Sequence, residues 1–422
     1  MFAAGRNSGA LDFEAVEQAT RDALHQAGAS LIEMLLNDDA AYEPQQHCAC
    51  GGQARYAGKR AKKLVTMLGA IVVERPYDHC GHCGSGFAAR DQELDVVATQ
   101  YSPSVRRMMA LVGSETSFDR GRALLDELAG IELTAKAVER EAETIGADIA
   151  AREQVEIERA AQLELPEVCT PEIPILYVEM DGTGVPATAA ETRGRKGKGG
   201  SPARTREVKL GCVFTQSSRD ARGRPVRDED STTYTGAIED AAACGPRLFN
   251  EAWRRGWSRA RRKVILGDGA AWIWNLAQQY FPGAIEIVDL YHAREHLWDL
   301  ASKRFPQQQK RRGDWQRRLQ KKLVAALRGT ASDNLELRHQ LALEAGYFER
   351  NAERMRYREF RRQGLFVGSG VIEAGCRTLI ASRLKRSGMF WSVPGANAIT
   401  ALRCARLSNR FDDYWETRVK AA

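Results

Sequence analysis

The spacing of apolar residues divides the chain into helical and β-rich stretches. Residues 12–37 (LDFEAVEQATRDALHQAGASLIEMLL) carry apolar side chains at helical spacing and run into Asn37-Asp38-Asp39, which predicts one amphipathic helix suited to packing or dimerisation. Between 47 and 91 the period changes. LVTMLGAIVVERPY offers two β-rich runs bent at Gly69, followed by HCGHCGSGF. From about 100 to 165 helical spacing returns: Ser102-Pro103 opens one helix, SFDRGRALLDELAG forms a second that stops at Gly130, and LTAKAVEREAETIG forms a third with Thr134 as its N-cap. The second and third helices, joined by a short Gly-containing turn, form a candidate helix-turn-helix. The charged continuation 151–160, followed by Pro166, reads as a linker.

Residues 172–240 read as strands, IPILYVEMDG, EVKLGCVFTQ and STTYTGAIE, with the Gly- and Arg/Lys-rich loop ETRGRKGKGGSPARTRE between the first two. A helix (PRLFNEAWRRGWSRA), a strand (RKVILGDG), a helix (AWIWNLAQQYF) and a strand (AIEIVDLYH) follow, a mixed α/β layout rather than a uniform repeat of parallel crossovers. From 294 to about 365 the pattern is helical and basic. The segment GSGVIEAGCRTLIASRLKRSGMFWS then reads as a glycine-marked turn into a helix, and ANAITALRCARL as another.

Composition narrows the class. At 422 residues the chain has room for two to four domains. With 43% hydrophobic and 28% charged residues and no apolar run of about 18 residues, it reads as an ordinary non-membrane protein. No secretory pattern opens it, so cytoplasmic, nucleoid-associated residence is the expectation. A net charge of +7 is compatible with nucleic acid without requiring it. Nine cysteines, four of them in the close pairs Cys48/Cys50 and Cys80/Cys83, point to metal in a reducing compartment rather than to a disulfide framework.

Those two pairs, with β-prone sequence between them, fit a zinc ribbon closing a tetrahedral structural site. The C-x-C end is one residue tighter than the usual knuckle. His47 therefore competes with Cys48 as a ligand, and His79 and His82 are further competitors. A second constellation is acidic: Asp181 and Asp268 each follow a β-rich run and precede glycine, and Glu373 sits early in a helix after the GSG turn. Two strand-end carboxylates and one helical Glu can make a two-metal site for phosphodiester chemistry. Three basic stretches could neutralise a nucleic-acid backbone: the loop with Arg193, Arg195, Lys196, Lys198, Arg204 and Arg206; the run Lys310, Arg311, Arg312, Arg317, Arg318, Lys321 and Lys322; and Arg354, Arg358, Arg361 and Arg362, spaced as one helix face.

The blocks EMDGTGVP, LGDGAAWIWN, IVDLYHAREHLW and GSGVIEAGCRTLIASRLKRSGMFWS resemble those of the ISKra family of bacterial insertion-sequence transposases, and the resemblance covers nearly the whole chain. It implies an Asp-Asp-Glu set on a ribonuclease-H-like fold related to the Mutator-like transposases. It further implies Asp181, Asp268 and Glu373 as ligands of two Mg²⁺ (or Mn²⁺) ions, Asp289 and His292 as an Asp-x-x-His motif, and the helical stretch before Glu373 as an all-helical insertion. The C-x-C pair departs from the C-x-x-C expected of the family's ribbon. Asp289, another strand-end carboxylate, is a rival metal ligand, and Glu179, on the same strand face as Asp181, is a supporting residue.

The expectation is thus a multidomain α+β protein: an N-terminal amphipathic helix (1–46), a zinc ribbon (47–95), a helical, helix-turn-helix-like DNA-binding segment (96–165), and a ribonuclease-H-like mixed α/β catalytic domain (166–293 and 366–422) interrupted by an all-helical basic insertion (294–365). The expected activity is cleavage at the ends of an insertion sequence and joining of the freed 3′-OH ends to target DNA. The expected partners are double-stranded DNA (terminal inverted repeats and target) and further copies of the chain, as a homodimer or larger synaptic assembly. One rival is a non-catalytic DNA-binding regulator that uses the ribbon and the helix pair. Another is a nuclease that cuts without joining.

Overall fold

The computed structural model describes residues 12–38, 45–168, 171–197, 200–305 and 335–418. The chain forms two compact units, residues 1–145 with 412–422, and residues 146–411. The division falls inside a helix rather than at position 165, and the last residues group with the first unit rather than with 366–411.

In the first unit, α1 (Phe13–Asn37) starts on Asp12, whose carboxylate accepts the Ala15 N–H. The strands β1 (Gln45–His47), β2 (Gln53–Thr66), β3 (Gly69–Cys80) and β4 (Gly86–Phe87) form an antiparallel sheet in sequence order. The hairpin between β2 and β3 turns at Gly69, whose φ of 132° favours glycine. Because β4 pairs with β3 only at Asp78 and His79, the Val72–Glu74 part of β3 is an edge on that side. There α1 covers it: Glu33 accepts from the Val72 N–H, Asn37 donates to the Val72 carbonyl and accepts from the Glu74 N–H, and Ala29, Ile32 and Leu36 pack on buried Ile71 and Val73. After the short α2 (Ala89–Glu93) come α3 (Pro103–Glu115) and α4 (Phe118–Ala129), capped by Ser102 and Ser117, with Gly130 ending α4 at φ 66°. Thr134 caps α5 (Ala135–Ala161).

The expected linker at 151–160 is helical and belongs to α5. Its second half is tied into the second unit, because Arg247 pairs with Glu153 at 2.6 Å and Arg254 with Glu156.

The second unit is built on β5 (Ile173–Pro186), β6 (Thr205–Gln216), β9 (Thr233–Ala237), β10 (Ala260–Gly267) and β11 (Ile285–Val288), in the order β11-β10-β5-β6-β9. The short α6 (Ala189–Thr192) follows β5, and the two-residue strands β7 (Ser218–Arg219) and β8 (Pro225–Val226) pair apart from the main sheet. β6 runs antiparallel to both its neighbours, β5 and β9, whereas β10 and β11 run parallel to β5. Numbered within this sheet, the order is 3-2-1-4-5. The helices of this unit are α7 (Ala241–Arg254), α8 (Ala271–Tyr280), α9 (Leu290–Arg304), α10 (Leu335–Arg350), α11 (Tyr357–Arg362), α12 (Gly370–Gly375), α13 (Ser382–Leu384) and α14 (Val393–Leu407), with a π-helical turn, Cys376–Ala381, after α12; the last helix, α15 (Phe411–Thr417), groups with the first unit from Asp412 onward.

The period of two explains why β5 reads as an unbroken apolar run: it is buried on both faces. Leu176, Val178 and Met180 point to a core made with Leu248, Ile265, Ile273, Trp274, Leu297 and Phe348, drawn from α7, α8, α9, α10 and β10. Gly211 belongs to that approach, since a Cβ there would lie 2.4 Å from Leu248 Cδ1. On the other face Tyr177 stacks on Phe214 at 4.8 Å and meets Phe366 edge-on. Glu179 and Asp181 continue that second face.

Two expectations about elements change. Asp181 does not end its strand: β5 leaves β10 after Met180 but stays paired with β6 as far as Pro186. The run AIEIVDLYH is strand only to Val288; Asp289 caps α9 through the N–H groups of Tyr291 and His292, so Leu290–His292 are helical.

Candidate functional site

The strand register gathers the acids. Leu266 and Gly267 of β10 lie opposite Glu179 and Met180 of β5, and Ile287 and Val288 of β11 lie opposite Leu266 and Gly267. One step further, Asp181, Asp268 and Asp289 form a row across three parallel strands at their C-terminal edge, where α/β sheets place ligands. The Asp289 N–H donates to the Gly267 carbonyl at 2.8 Å, carrying the ladder into this row. Glu373 arrives from α12, which is pinned to β5 because its Ile372 N–H donates to Glu179 Oε2 at 2.8 Å.

The carboxylates differ in what they are free to do. Asp289 is fully buried and committed: one oxygen accepts from Tyr291 and His292 N–H, the other from the backbone and hydroxyl of Ser369. The same hydroxyl reaches Glu373 Oε1 at 2.9 Å, so Ser369 links the two acids. Asp268 Oδ1 accepts from Ala270 N–H at 2.8 Å. Gly269, at φ 94°, makes this turn possible, and a Cβ on it would strike the Tyr347 ring 2.6 Å away at the hydroxyl. Asp181 accepts from Gly182 N–H at 2.7 Å and from the Cys376 thiol at 3.3 Å. Burial pushes its carboxyl up, and so does the Asp268 charge, against the Cys376 and Gly182 hydrogen bonds and the nearby His292. Glu179 is wholly buried, which pushes it up to about 8, and Asp289 and Glu373 push the same way. Burial therefore favours its neutral form.

His292 Nε2 lies 3.2 Å from His296 Nε2, and His296 Nδ1 lies 2.9 Å from Glu344 of α10. That Glu344 hydrogen bond raises His296 above its ordinary value. Tyr347 stacks on His296 at 4.4 Å and donates to the Asp268 carbonyl at 3.0 Å. Cys376, Ser369, His296 and Tyr347 were not singled out from sequence. The i, i+3 spacing of Glu373 and Cys376 and the i, i+4 spacing of His292 and His296 were the available signals; nothing local marks Ser369 or Tyr347.

Among the described residues, Cys48, Cys50, Cys80 and Cys83 are the group whose ligand atoms all lie within 4.8 Å of one another. Cys48 and Cys83 sulfurs are 3.5 Å apart, and those of Cys50 and Cys80 3.6 Å, close to the roughly 3.8 Å that a tetrahedral zinc with 2.3 Å bonds requires. Gly52 makes room, since a Cβ there would come 3.1 Å from Cys80 Sγ. The Ser85 hydroxyl, 2.9 Å away, holds Cys83 down to about 6. Cys50, although the Gly52 N–H lowers it, is pushed up to about 12 by Cys83 and Cys48. Four thiols that cannot all ionise side by side are a set that a divalent, thiophilic cation satisfies. His47 is exposed at the end of β1 and His79 is not in the group; His82 Nδ1 stands 3.7 Å from Cys50 Sγ.

Of the basic residues, Arg193, Arg195, Lys196 and Arg204 are exposed, and Arg206 is partly covered beside Glu191. The expected single helix face at 354–362 is broken. Arg354 sits in a 3₁₀ turn, paired with Glu286 and lying 4.6 Å over the Trp274 ring, whereas Arg358, Arg361 and Arg362 are exposed on α11. Lys198 and the run Lys310, Arg311, Arg312, Arg317, Arg318, Lys321 and Lys322 lie outside the described residues. No described helix is long and apolar enough to cross a membrane.

No family model and no curated protein matches the chain. Among solved structures it is similar to a Drosophila P element transposase strand transfer complex, at 9% identity over 78% of this chain and 84% of that one, with a TM-score of 0.25.

Proposed function

We propose that the chain is a DNA transposase whose chemistry is carried by Asp181, Asp268 and Glu373. The observation that carries this reading is the gathering of carboxylates at one sheet edge, with Asp181 pushed up by its own burial and by Asp268. Like charges held together on rigid elements are costly, and positive charge between them offsets that cost. The sheet order 3-2-1-4-5, antiparallel over its first three strands and parallel over 1, 4 and 5, is that expected of a ribonuclease-H-like domain and supports the same reading.

The donor set suits a hard divalent cation, because all three groups offer oxygen. Asp181, Asp268 and Glu373 would hold magnesium or manganese, and a metal pair there supplies activation of the attacking oxygen and stabilisation of the leaving one. The remaining residues position these three. Asp289, with both oxygens engaged, orients α9 and the Ser369 turn rather than offering a free ligand. Protonated Glu179 accepts the Ile372 N–H and so fixes the helix that bears Glu373. His292 faces the acids and is suited to holding a phosphate oxygen.

In the proposed first step the oxygen of water bonds to phosphorus and the bond to O3′ breaks, leaving a 3′-OH at the element end. In the second step that 3′-OH attacks a target phosphodiester and displaces its O3′. Exposed Arg193, Arg195, Lys196 and Arg204 would bind backbone phosphates. The zinc ribbon and the α4–α5 pair would recognise the ends, and two ends require at least two chains. The test is a plasmid assay in which the DNA on either side of the reading frame supplies the candidate element ends. Cut ends joined to target in Mg²⁺ support the proposal, cut ends without joining leave a nuclease, and bound but uncut DNA leaves the regulator.

A further inference from the structure

The N-terminal helix α1 is apolar on two opposite sides. One side is satisfied: Ala29, Ile32 and Leu36 lie on the ribbon, Glu33 and Asn37 pair with its edge, and Arg21 donates to the Leu128 carbonyl at 2.9 Å. At 100° per residue the opposite side carries Phe13, Thr20, Leu24, Ala27, Leu31 and Met34, with Leu35 at its margin. All are exposed, and the five large ones among them are 51–68% exposed.

The spacing matters more than the exposure. Phe13, Thr20, Ala27 and Met34 recur every seven residues, and Leu24 and Leu31 fall four positions after Thr20 and Ala27. This is the a/d seam of a heptad repeat, sustained over a helix of 25 residues, about 37 Å long. A seam of period 3.5 matches another helix of the same period and not a sheet, which would need only a patch. In this numbering Ala29 and Leu36 are f positions, ordinarily solvated, and here they bind the ribbon. The helix is thus anchored through its back and presents its seam outward.

We infer that this seam is a self-association surface, packed in the oligomer against α1 of a second copy of this chain. The area supports that occupant. The exposed parts of the five large side chains amount to about 500 Å² on each copy, so that two seams bury about 1,000 Å², the lower bound of a specific interface, before Val16, Thr20 and Ala27 are added. The positions that flank the seam, Val16, Ala23, Ser30, Asn37, Glu14, Arg21, Gly28 and Leu35, carry little charge, so like-charge repulsion does not oppose the pairing. Glu17 is the one charged residue inside the seam between Phe13 and Met34 and limits its strength.

The test is sedimentation equilibrium of the full chain, zinc-loaded and without DNA, at 1–50 µM on the order of common protein affinities. The expected wild-type mass is twice 46.8 kDa. Ala27→Glu, which alters only an exposed small side chain, and Leu24→Glu/Leu31→Glu should each sediment as monomer with unchanged helical circular dichroism and zinc content. Glu17→Leu should tighten the dimer by about tenfold. A wild-type monomer over this range overturns the inference, and so does a dimer that survives Ala27→Glu. Because no DNA is present, either result leaves the proposed strand chemistry untouched.

Discussion

Replacing Glu179 with Gln is expected to stabilise the second unit at high pH and to remove most of one pH dependence. The carboxyl is wholly buried between β5 and α12, and its ordinary value of 4.5 is pushed up to about 8, first by burial and then by Asp289 and Glu373. A raised acid binds its proton more tightly in the folded state, so its contribution is fully present below about 4.5 and is lost as pH rises through about 8. That interval corresponds to about 5 kcal/mol as an upper figure, at about 1.4 kcal/mol per pH unit. Gln keeps the shape and the acceptor for the Ile372 N–H and cannot ionise, so the variant should gain on wild type as pH rises from about 5 to about 8 and the gain should level off above that. Urea unfolding followed by tryptophan fluorescence, without added divalent cations, reads this directly, because Trp257 and Trp274 lie in the same unit's core. The contribution of Asp181 is common to both proteins and cancels in the difference. Parallel stability-versus-pH curves for wild type and E179Q would refute the account of Glu179 as a buried, protonated acid.

Cys50→Ser should lower bound zinc from one per chain to well below one and unfold the β1–β4 sheet, because structural zinc contributes about 10 kcal/mol or more to such small units; metal analysis of gel-filtered protein checks both halves. Ser369→Ala removes the one hydroxyl shared by Asp289 and Glu373. It should lower stability by about 2 kcal/mol and slow cleavage with DNA affinity unchanged, and retained turnover would remove Ser369 from the positioning set. Deleting any of Arg193, Arg195, Lys196 or Arg204 should reduce the log–log salt slope of DNA binding by about one; an unchanged slope means that the residue does not touch phosphate.

The sequence carried the elements whose cause is local. The helix starts at Ser102 and Thr134, the turn at Gly69 and the stop at Gly130 are set by neighbouring atoms, and so were legible. The nearness of Asp181 to Asp268 followed from both standing after β-rich runs, once strand register aligned them. What was illegible depends on distant partners. Residues 151–160 look like a charged linker until Arg247 and Arg254 arrive from α7 to pair with them. Arg354 looks like one of four arginines on a helix until Glu286 and Trp274 claim it. Asp289 looks like a third strand-end ligand, and only the buried Ser369 turn, eighty residues away in sequence, shows how fully its oxygens are used.

The proposed chemistry needs three side chains acting together on DNA. The decisive measurement is Mg²⁺-dependent nicking of DNA that carries the sequence flanking the reading frame, with wild type and with Asp181→Asn, Asp268→Asn and Glu373→Gln. Wild type should nick, and each single substitution should lower the rate by at least about a thousandfold, equivalent to about 4 kcal/mol of barrier, with DNA affinity nearly unchanged. Nicking retained by any one of the three, or absent from wild type in both Mg²⁺ and Mn²⁺, would contradict it.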